Sequence, residues 1–326
     1  GDQVYSTAGS YGAISGNSSG TYKLCLNLCK SLYAVSNSNN NEATFAYSLS
    51  IKNDEIELIP DSDDYAEYGA ITYTSGLLLW EKTLYAPASL QVNLDLEFLD
   101  KTINKEDIVC EYKYKSGTQT LYDKCGINAE GKFSFVMPDS DVFMYPGIEW
   151  SGEGNEESPY RITNIYQLKF LAVRVNDFEQ FFENKMFVLD NDITGDNSIN
   201  NYISIGGCFG GQYKEFCGTF DGSGHFISGI NISNTENLEQ DTFLGIFGRI
   251  GSSGRVENLN LKNCIIKGHF SVCGIAGYNN GVVYNCKVEK DVYISYEKTS
   301  SSCHGGIVGY NEGLIDSCKS FAQRSE

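Results

Sequence analysis

GIAGYNNGVVYNC at residues 274–286 and GIVGYNEGLIDSC at residues 306–318 are two copies of one unit, and they decide the fold. They align without a gap at an offset of 306 − 274 = 32 residues. A looser copy, GIFGRIGSSGRVENL at residues 245–259, carries two extra residues before its turn glycine. Because glycine reaches the backbone angles of tight corners, the shared pattern predicts short strands joined by sharp turns.

Repeated units of this size predict a solenoid. A single unit cannot bury its apolar side alone, whereas stacked units form one continuous core. Leu259, Cys286 and Cys318 occupy the same position in the three copies. A ladder of small apolar groups inside the coil therefore accounts for these cysteines as buried free thiols. Cys273 aligns with Gly305, so we expect it to be less constrained and near a turn.

One helix is predicted ahead of the repeats. Asn164 is a suitable N-cap, and Gln167 follows three residues later, which makes a variant of the capping box. Apolar residues then recur on one helical face, namely Ile165, Leu168, Ala172 and Val175. We expect this helix to cover the open end of the solenoid, where an uncovered strand would expose unpaired backbone groups.

A series of motifs precedes the repeats in a fixed order: WSGEG (150–154), SPYRI (158–162), LDNDI (189–193) and GTFDGSGH (218–225). Together with the glycine-cornered units, they resemble the bacterial GLUG-motif repeat surface proteins over residues 150–318. The resemblance implies a right-handed parallel β-helix-like solenoid in an adhesin-like or otherwise exported protein of a host-associated bacterium. Some immunoglobulin-cleaving metalloproteases carry similar repeats outside their catalytic part, but this sequence lacks their His-Glu-x-x-His motif.

The first 147 residues predict short β-strands. Apolar residues alternate with polar ones between Leu90 and Phe98, which is typical of a half-buried strand. The stretch GKFSFVMPDSDV at residues 131–142 is similar to the close of small β-rich modules on bacterial surface proteins. We therefore predict an all-β chain with a β-sandwich-like domain at 1–88, a small β-rich Ig-like module at 89–147 and the GLUG-type solenoid at 148–326.

The charge and hydropathy of the sequence limit the classes of partner, and the resemblance indicates where the protein is located. The formal net charge of −18 disfavours nucleic acid and anionic membranes as partners. The sequence has no apolar run of about 18 residues, so no membrane-spanning segment is expected. The resemblance implies an extracellular or cell-surface location in a bacterium. We also expect a chain cut short at both ends, because it begins GDQ without a leader and its last repeat is incomplete.

Metal and cofactor sites are not expected. The 11 cysteines are an odd number and lack the paired spacing of zinc ligands. His225, His269 and His304 lie far apart in the sequence. Acidic side chains at Asp61, Asp63 and Asp64 could bind Ca²⁺ through their oxygens, but a solvated acidic turn is the favoured interpretation because EF-hand spacing is absent.

A group of carboxylates suggests an alternative hypothesis. In it, the protein is a carbohydrate-active β-helix lyase or glycosidase. Asp190, Asp192 and Asp196 lie close together in the sequence. Such an enzyme would need several charged groups on one coil face, with Glu215 as a further member. The nearby Asn191 and Gly195 instead favour a structural turn.

Tyrosines supply the remaining candidate site. Tyr278 and Tyr310 are equivalent in the repeat, and Tyr284 lies in the same unit. A stripe of such rings could bind host glycans or matrix proteins, and a ladder that only stabilises the coil remains equally open. The primary hypothesis is a non-catalytic cell-surface or secreted adhesion protein. A spacer that displays another domain is the other alternative to the enzyme.

Overall fold

The computed structural model describes residues 91–198, 202–209, 211–233, 243–296 and 303–325. It also describes short stretches of the N-terminal part at 23–26, 32–36, 43–52, 56–58, 72–75 and 80–89. Across these residues, strands dominate, and the helical elements are one α-helix, α1 (Ile165–Asn176), and one 3-10 helix (Lys105–Asp107). Within the same ranges, no helix has the length and apolar character needed to cross a bilayer.

The N-terminal strands form one large sheet and two small ones. Their bounds are β1 (Lys23–Leu26), β2 (Leu32–Ser36), β3 (Ala43–Lys52), β4 (Ile56–Leu58), β5 (Thr72–Ser75), β6 (Trp80–Pro87), β7 (Gln91–Leu94), β8 (Leu96–Phe98), β9 (Ile108–Ser116), β10 (Gln119–Lys124), β11 (Gly126–Ile127), β12 (Phe133–Val136) and β13 (Val142–Ile148). The eight-stranded sheet runs β1-β2-β3-β13-β9-β10, with β6 joining β3 to β5. The smaller sheets are β11-β12-β7 and β4-β8. Pairing among these described strands is antiparallel except between β3 and β13.

Two layers of apolar side chains close the N-terminal core. Leu49, Val142 and Met144 of the large sheet belong to the same buried cluster as Val92 and Phe133 of the three-stranded sheet. The predicted alternation is confirmed over Val92–Phe98, where every second side chain is buried; Leu90 lies outside the described residues. This face-to-face packing is that of a β-sandwich.

The predicted helix is confirmed, together with its cap. The Asn164 side chain accepts a hydrogen bond from the backbone N–H of Gln167 at 3.0 Å. Gln167 Oε1 in turn accepts from the backbone N–H of Thr163 at 2.8 Å, one residue earlier than in a standard capping box. Leu168 and Val175 are fully buried in the cluster that forms the solenoid core. The helix therefore shields the apolar interior at the start of the solenoid.

Most of the described strands from residue 160 onward pair in parallel, and one hairpin among them is antiparallel. Their bounds are β14 (Tyr160–Ile162), β15 (Met186–Leu189), β16 (Ile193–Thr194), β17 (Gly207–Phe209), β18 (Gln212–Lys214), β19 (Thr219–Asp221), β20 (Phe226–Ser228), β21 (Asn231–Ser233), β22 (Phe243–Leu244), β23 (Phe247–Ile250), β24 (Arg255–Glu257), β25 (Asn260–Leu261), β26 (Ile265–Gly268), β27 (Ser271–Val272), β28 (Ala276–Asn279), β29 (Val282–Tyr284), β30 (Lys287–Val288), β31 (Tyr293–Tyr296), β32 (Cys303–His304), β33 (Val308–Asn311), β34 (Leu314–Asp316), β35 (Lys319–Ser320) and β36 (Gln323–Ser325). They stack into five parallel sheets: β14-β15-β19-β24-β29-β34, β16-β20-β25-β30-β35, β21-β26-β31-β36, β22-β27-β32 and β23-β28-β33. The predicted parallel solenoid is thus confirmed. A separate antiparallel hairpin, β17–β18, projects from it.

Equivalent residues of the repeats meet inside the solenoid. Ile246 and Ile275 are fully buried in one cluster, and Ile307 packs against that cluster. Leu259 and Cys286 are likewise fully buried, and the Cys286 N–H points to Cys318 Sγ at 3.4 Å. The predicted ladder of repeat positions is therefore present in the structure.

Glycine at one corner is required by the stacking itself. A Cβ atom on Gly281 would lie 2.0 Å from the carbonyl oxygen of Gly254, and one on Gly313 would lie 2.1 Å from that of Gly281. Any side chain there would push neighbouring coils apart. Cys273 differs from expectation: it is fully buried, because it lies against the preceding coil, where its thiol donates to the Leu244 carbonyl at 3.1 Å.

Replacement of one inward-facing isoleucine tests this core. Ile275→Ala removes a fully buried side chain from tightly packed coils and is expected to lower the free energy of unfolding by about 3 kcal/mol. Guanidinium denaturation measures the loss. Ile265→Ala is the matched control, because Ile265 is 38% exposed, and it is expected to cost less than about 1 kcal/mol. Equal losses in the two variants would contradict the assigned facing of these strands.

Candidate functional site

A column of outward side chains crosses the sheet β23-β28-β33. Arg249, Tyr278 and Tyr310 are register partners on these three strands. The rings of Tyr278 and Tyr310 are stacked, with centroids 5.6 Å apart and planes inclined by 8°. The Arg249 guanidinium carbon lies 3.8 Å from the centroid of the Tyr278 ring. In-register pairing thus brings together the two tyrosines predicted to be equivalent.

Arg249 is enclosed by further aromatic rings. Its guanidinium carbon lies 4.2 Å from the ring centroid of Tyr213, on the hairpin β17–β18, and 4.9 Å from that of Phe243. Its Nη2 atom donates to Glu215 Oε1 at 2.7 Å. The residue is only 7% exposed, so these contacts act with little screening by water. We call Tyr213, Phe243, Arg249, Tyr278 and Tyr310 the aromatic–arginine array.

The outer members of the array face solvent. Tyr213 is 55% exposed and Tyr310 is 44% exposed. The Tyr278 hydroxyl donates to Glu312 Oε2 at 2.7 Å, and this hydrogen bond is the largest cause that raises the pKa of Tyr278 above its ordinary value. The hydrogen bond fixes the direction of the hydroxyl.

Exposed rings held on strands can bind ligands by stacking. Tyrosine supplies a large contact area at a small cost in conformational entropy and favours the apolar faces of sugars and protein side chains. Here the backbone ladder and the buried Arg249 fix the rings before any ligand arrives. Such preorganisation favours affinity. Among the described residues, no group of three or more His, Cys, Asp or Glu side chains is placed to hold a metal ion.

The other predicted binding and metal residues lie elsewhere. Tyr284 is 36% exposed on β29, in a different sheet, where the Arg255 guanidinium carbon lies 5.3 Å from its ring centroid. It is therefore separate from the stacked pair. The acidic residues Asp61, Asp63 and Asp64 lie outside the described residues.

The carboxylates considered for catalysis have separate partners. The contacts are Asp190 with Arg161 at 2.6 Å, Asp192 with His225 at 3.1 Å, Glu215 with Arg249 at 2.7 Å, and Asp196 with the N–H of Ser198 at 2.9 Å. Asp190 and Asp192 flank a bend rather than share a strand. These groups therefore hold neighbouring coils and turns in place.

Sequence reasoning missed three members of the array, namely Tyr213, Phe243 and Arg249. Arg249 takes the place of Tyr278 and Tyr310 in the looser repeat copy, so the alignment contained the signal for it. Tyr213 lies on a hairpin outside the repeat, and its approach to Arg249 depends on the fold of that hairpin. The repeat pattern therefore carried no signal for Tyr213.

Two known proteins are similar to parts of this chain. No protein-family model matches the chain, and no solved structure matches it significantly. A 142-residue stretch, 42% of the chain, is 30% identical to halomucin of Haloquadratum walsbyi. A 163-residue stretch, 48% of the chain, is 31% identical to a protein named as a Gly-rich membrane protein in Evansella cellulosilytica. The chain spans only 2% and 17% of the lengths of these relatives.

Removal of the central cation tests how the array is held. Arg249→Ala deletes three cation–π contacts and leaves the Glu215 carboxylate without its buried partner. We expect amide hydrogen exchange in the hairpin β17–β18 to become about tenfold faster, which corresponds to about 1.4 kcal/mol of lost local stability.

Arg255→Ala is the matched control for this measurement. Arg255 also lies over a tyrosine ring and pairs with Glu257, but it belongs to another sheet. We expect hairpin exchange in this variant to equal that of the parent protein. Unchanged exchange in Arg249→Ala would show that the hairpin is held by other contacts.

Proposed function

We propose that this chain is part of a surface-displayed or secreted, non-catalytic binding protein whose aromatic–arginine array contacts the ligand. Host glycans and matrix proteins are the proposed ligands. The observation that carries the proposal is the exposure of Tyr213, which contacts the buried Arg249, and of Tyr310, which stacks on Tyr278. Adhesion to a host surface is the role we assign to this binding.

The geometry favours stacking against flat or apolar ligand surfaces. The rings of Tyr278 and Tyr310 are nearly parallel, since their planes differ by 8°. The distance between the two rings is set by the stacking of the coils. A ligand that contacts both rings would therefore contact them at a fixed separation. The negative carboxylates Glu215 and Glu312 adjoin the array and are expected to disfavour strongly anionic ligands.

Surface location is supported by the relatives and by the sequence motifs. The two matched relatives carry the names halomucin and Gly-rich membrane protein. The motif series between residues 150 and 318 resembles GLUG-motif surface proteins, and we propose that the solenoid belongs with them. A non-catalytic role is supported by the separate contacts of the carboxylates: Asp190 and Glu215 pair with arginines, and Asp192 contacts the His225 ring.

Screening against a glycan array and a panel of extracellular matrix proteins tests the proposal. We expect the chain to bind at least one neutral glycan or matrix protein with a measurable Kd. The double variant Tyr213→Ala/Tyr310→Ala removes the exposed rings and is expected to raise that Kd at least about tenfold, the effect of losing a binding hot spot.

The control is Tyr122→Ala. Tyr122 is 42% exposed but lies on β10 of the N-terminal sandwich, and its loss is expected to leave the Kd unchanged. Circular dichroism would confirm that both variants keep the parent fold. An unchanged Kd in the folded double variant, or release of product from a bound glycan, would contradict the proposal.

A further inference from the structure

Two cysteines face each other at the open end of the hairpin β9–β10. Lys124 pairs with Glu111 across the hairpin, so the next pair is Cys125 and Cys110. The backbone N–H of Cys125 donates to the carbonyl of Cys110 at 2.9 Å. Side chains of directly opposed residues lie on the same face of a sheet. Burial raises the pKa of the Cys110 thiol, and a side-chain hydrogen bond with Cys125 adds to that shift.

The backbone here suits a covalent link between these sulfur atoms. Opposed residues in a hydrogen-bonded antiparallel pair have Cα atoms about 5.5 Å apart, which is near the commonest separation for disulfides. Rotation of the two side chains brings the sulfur atoms toward each other, and a small approach of the two strands completes the closure. Cys110 is 2% exposed, whereas Cys125 is partly exposed and accessible to an oxidant.

We propose that Cys110 and Cys125 form a structural disulfide when the protein meets a small-molecule disulfide such as oxidised glutathione. The Cys125 thiolate attacks one sulfur of the glutathione disulfide, breaks its S–S bond and releases one glutathione thiolate. The Cys110 thiolate then attacks the Cys125 sulfur and releases the second glutathione. Two cysteine thiols are oxidised, one disulfide is reduced, and the two thiol protons end on the two glutathiones.

The link would fasten the junction between the sandwich and the solenoid. Glu111 follows Cys110 and is almost fully buried, with its Oε1 atom 3.0 Å from Arg174 Nη1 on α1. The same oxygen lies 3.3 Å from Lys124 Nζ, next to Cys125. A disulfide at residues 110 and 125 would hold both strands that position this buried ion pair. This consequence holds whether or not the array binds a ligand.

Other buried cysteines supply internal controls for the proposal. The thiol of Cys264 donates to the Lys262 carbonyl at 3.2 Å, and that of Cys273 donates to the Leu244 carbonyl at 3.1 Å. Each of these thiols is directed at a backbone carbonyl instead of a facing thiol, which is what distinguishes them from the hairpin pair. They are expected to remain reduced under conditions that oxidise the hairpin pair.

Peptide mapping tests the link directly. The full chain is equilibrated with oxidised glutathione, denatured without reductant, alkylated with iodoacetamide, digested and analysed by mass spectrometry. We expect a joined peptide that contains Cys110 and Cys125 and has lost two hydrogens, while Cys264 and Cys273 are alkylated. Alkylation of both hairpin cysteines, a glutathione adduct that persists on Cys125, or a link from either to another cysteine would overturn the proposal.

Thermal unfolding supplies a second readout. Reduction of the link is expected to lower the Tm of the oxidised protein by about 10 °C, because the link closes a loop of hairpin length in the unfolded chain. Cys125→Ser keeps a small polar side chain at this partly exposed position but cannot form the link. The Tm of this variant is therefore expected to fall by about 10 °C less on reduction than that of the parent protein. An equal shift in both proteins would overturn the stabilising role of the link.

Discussion

The structure depends on the in-register stacking of apolar side chains along parallel strands inside the solenoid. Phe220, Val256 and Val283 are successive register partners, and each is fully buried. Burial of one such side chain contributes about 1.5–3 kcal/mol, but an isolated coil would leave it in contact with water. Neighbouring coils supply both the apolar contacts and the backbone hydrogen bonds. Stability therefore belongs to the stack and to the sandwich and helix that shield its start.

The outer surface follows from the same register. A repeat that places equivalent residues one above another inside the coil must also align them outside it. Arg249, Tyr278 and Tyr310 form a column for this reason, and the hairpin β17–β18 adds Tyr213 to it. Stacking of coils thus converts a repeated sequence position into a fixed row of side chains. Within this row, the positions of the side chains are set by the coils themselves.

Features that depend on residues close together in the sequence could be predicted from it. Glycine spacing predicted the coils, and the Asn164–Gln167 pair predicted where α1 begins. Contacts between distant segments were not accessible in this way. The approach of Tyr213 to Arg249 depends on a hairpin outside the repeat, and the burial of Cys273 depends on its contact with Leu244 of the preceding coil. Asp190 and Asp192 looked adjacent in sequence, but each is bound to a partner roughly one coil away.

Methyl–methyl nuclear Overhauser spectroscopy tests the stacking most directly. Strands in a sheet lie about 4.8 Å apart, so inward side chains in parallel register bring their methyl groups into contact. In protein labelled on valine and isoleucine methyls, the account predicts cross-peaks between Val256 and Val283 and between Ile275 and Ile307. Absence of both cross-peaks, or a pattern that pairs Val283 with its neighbours in antiparallel order, would contradict a common core shared by stacked coils.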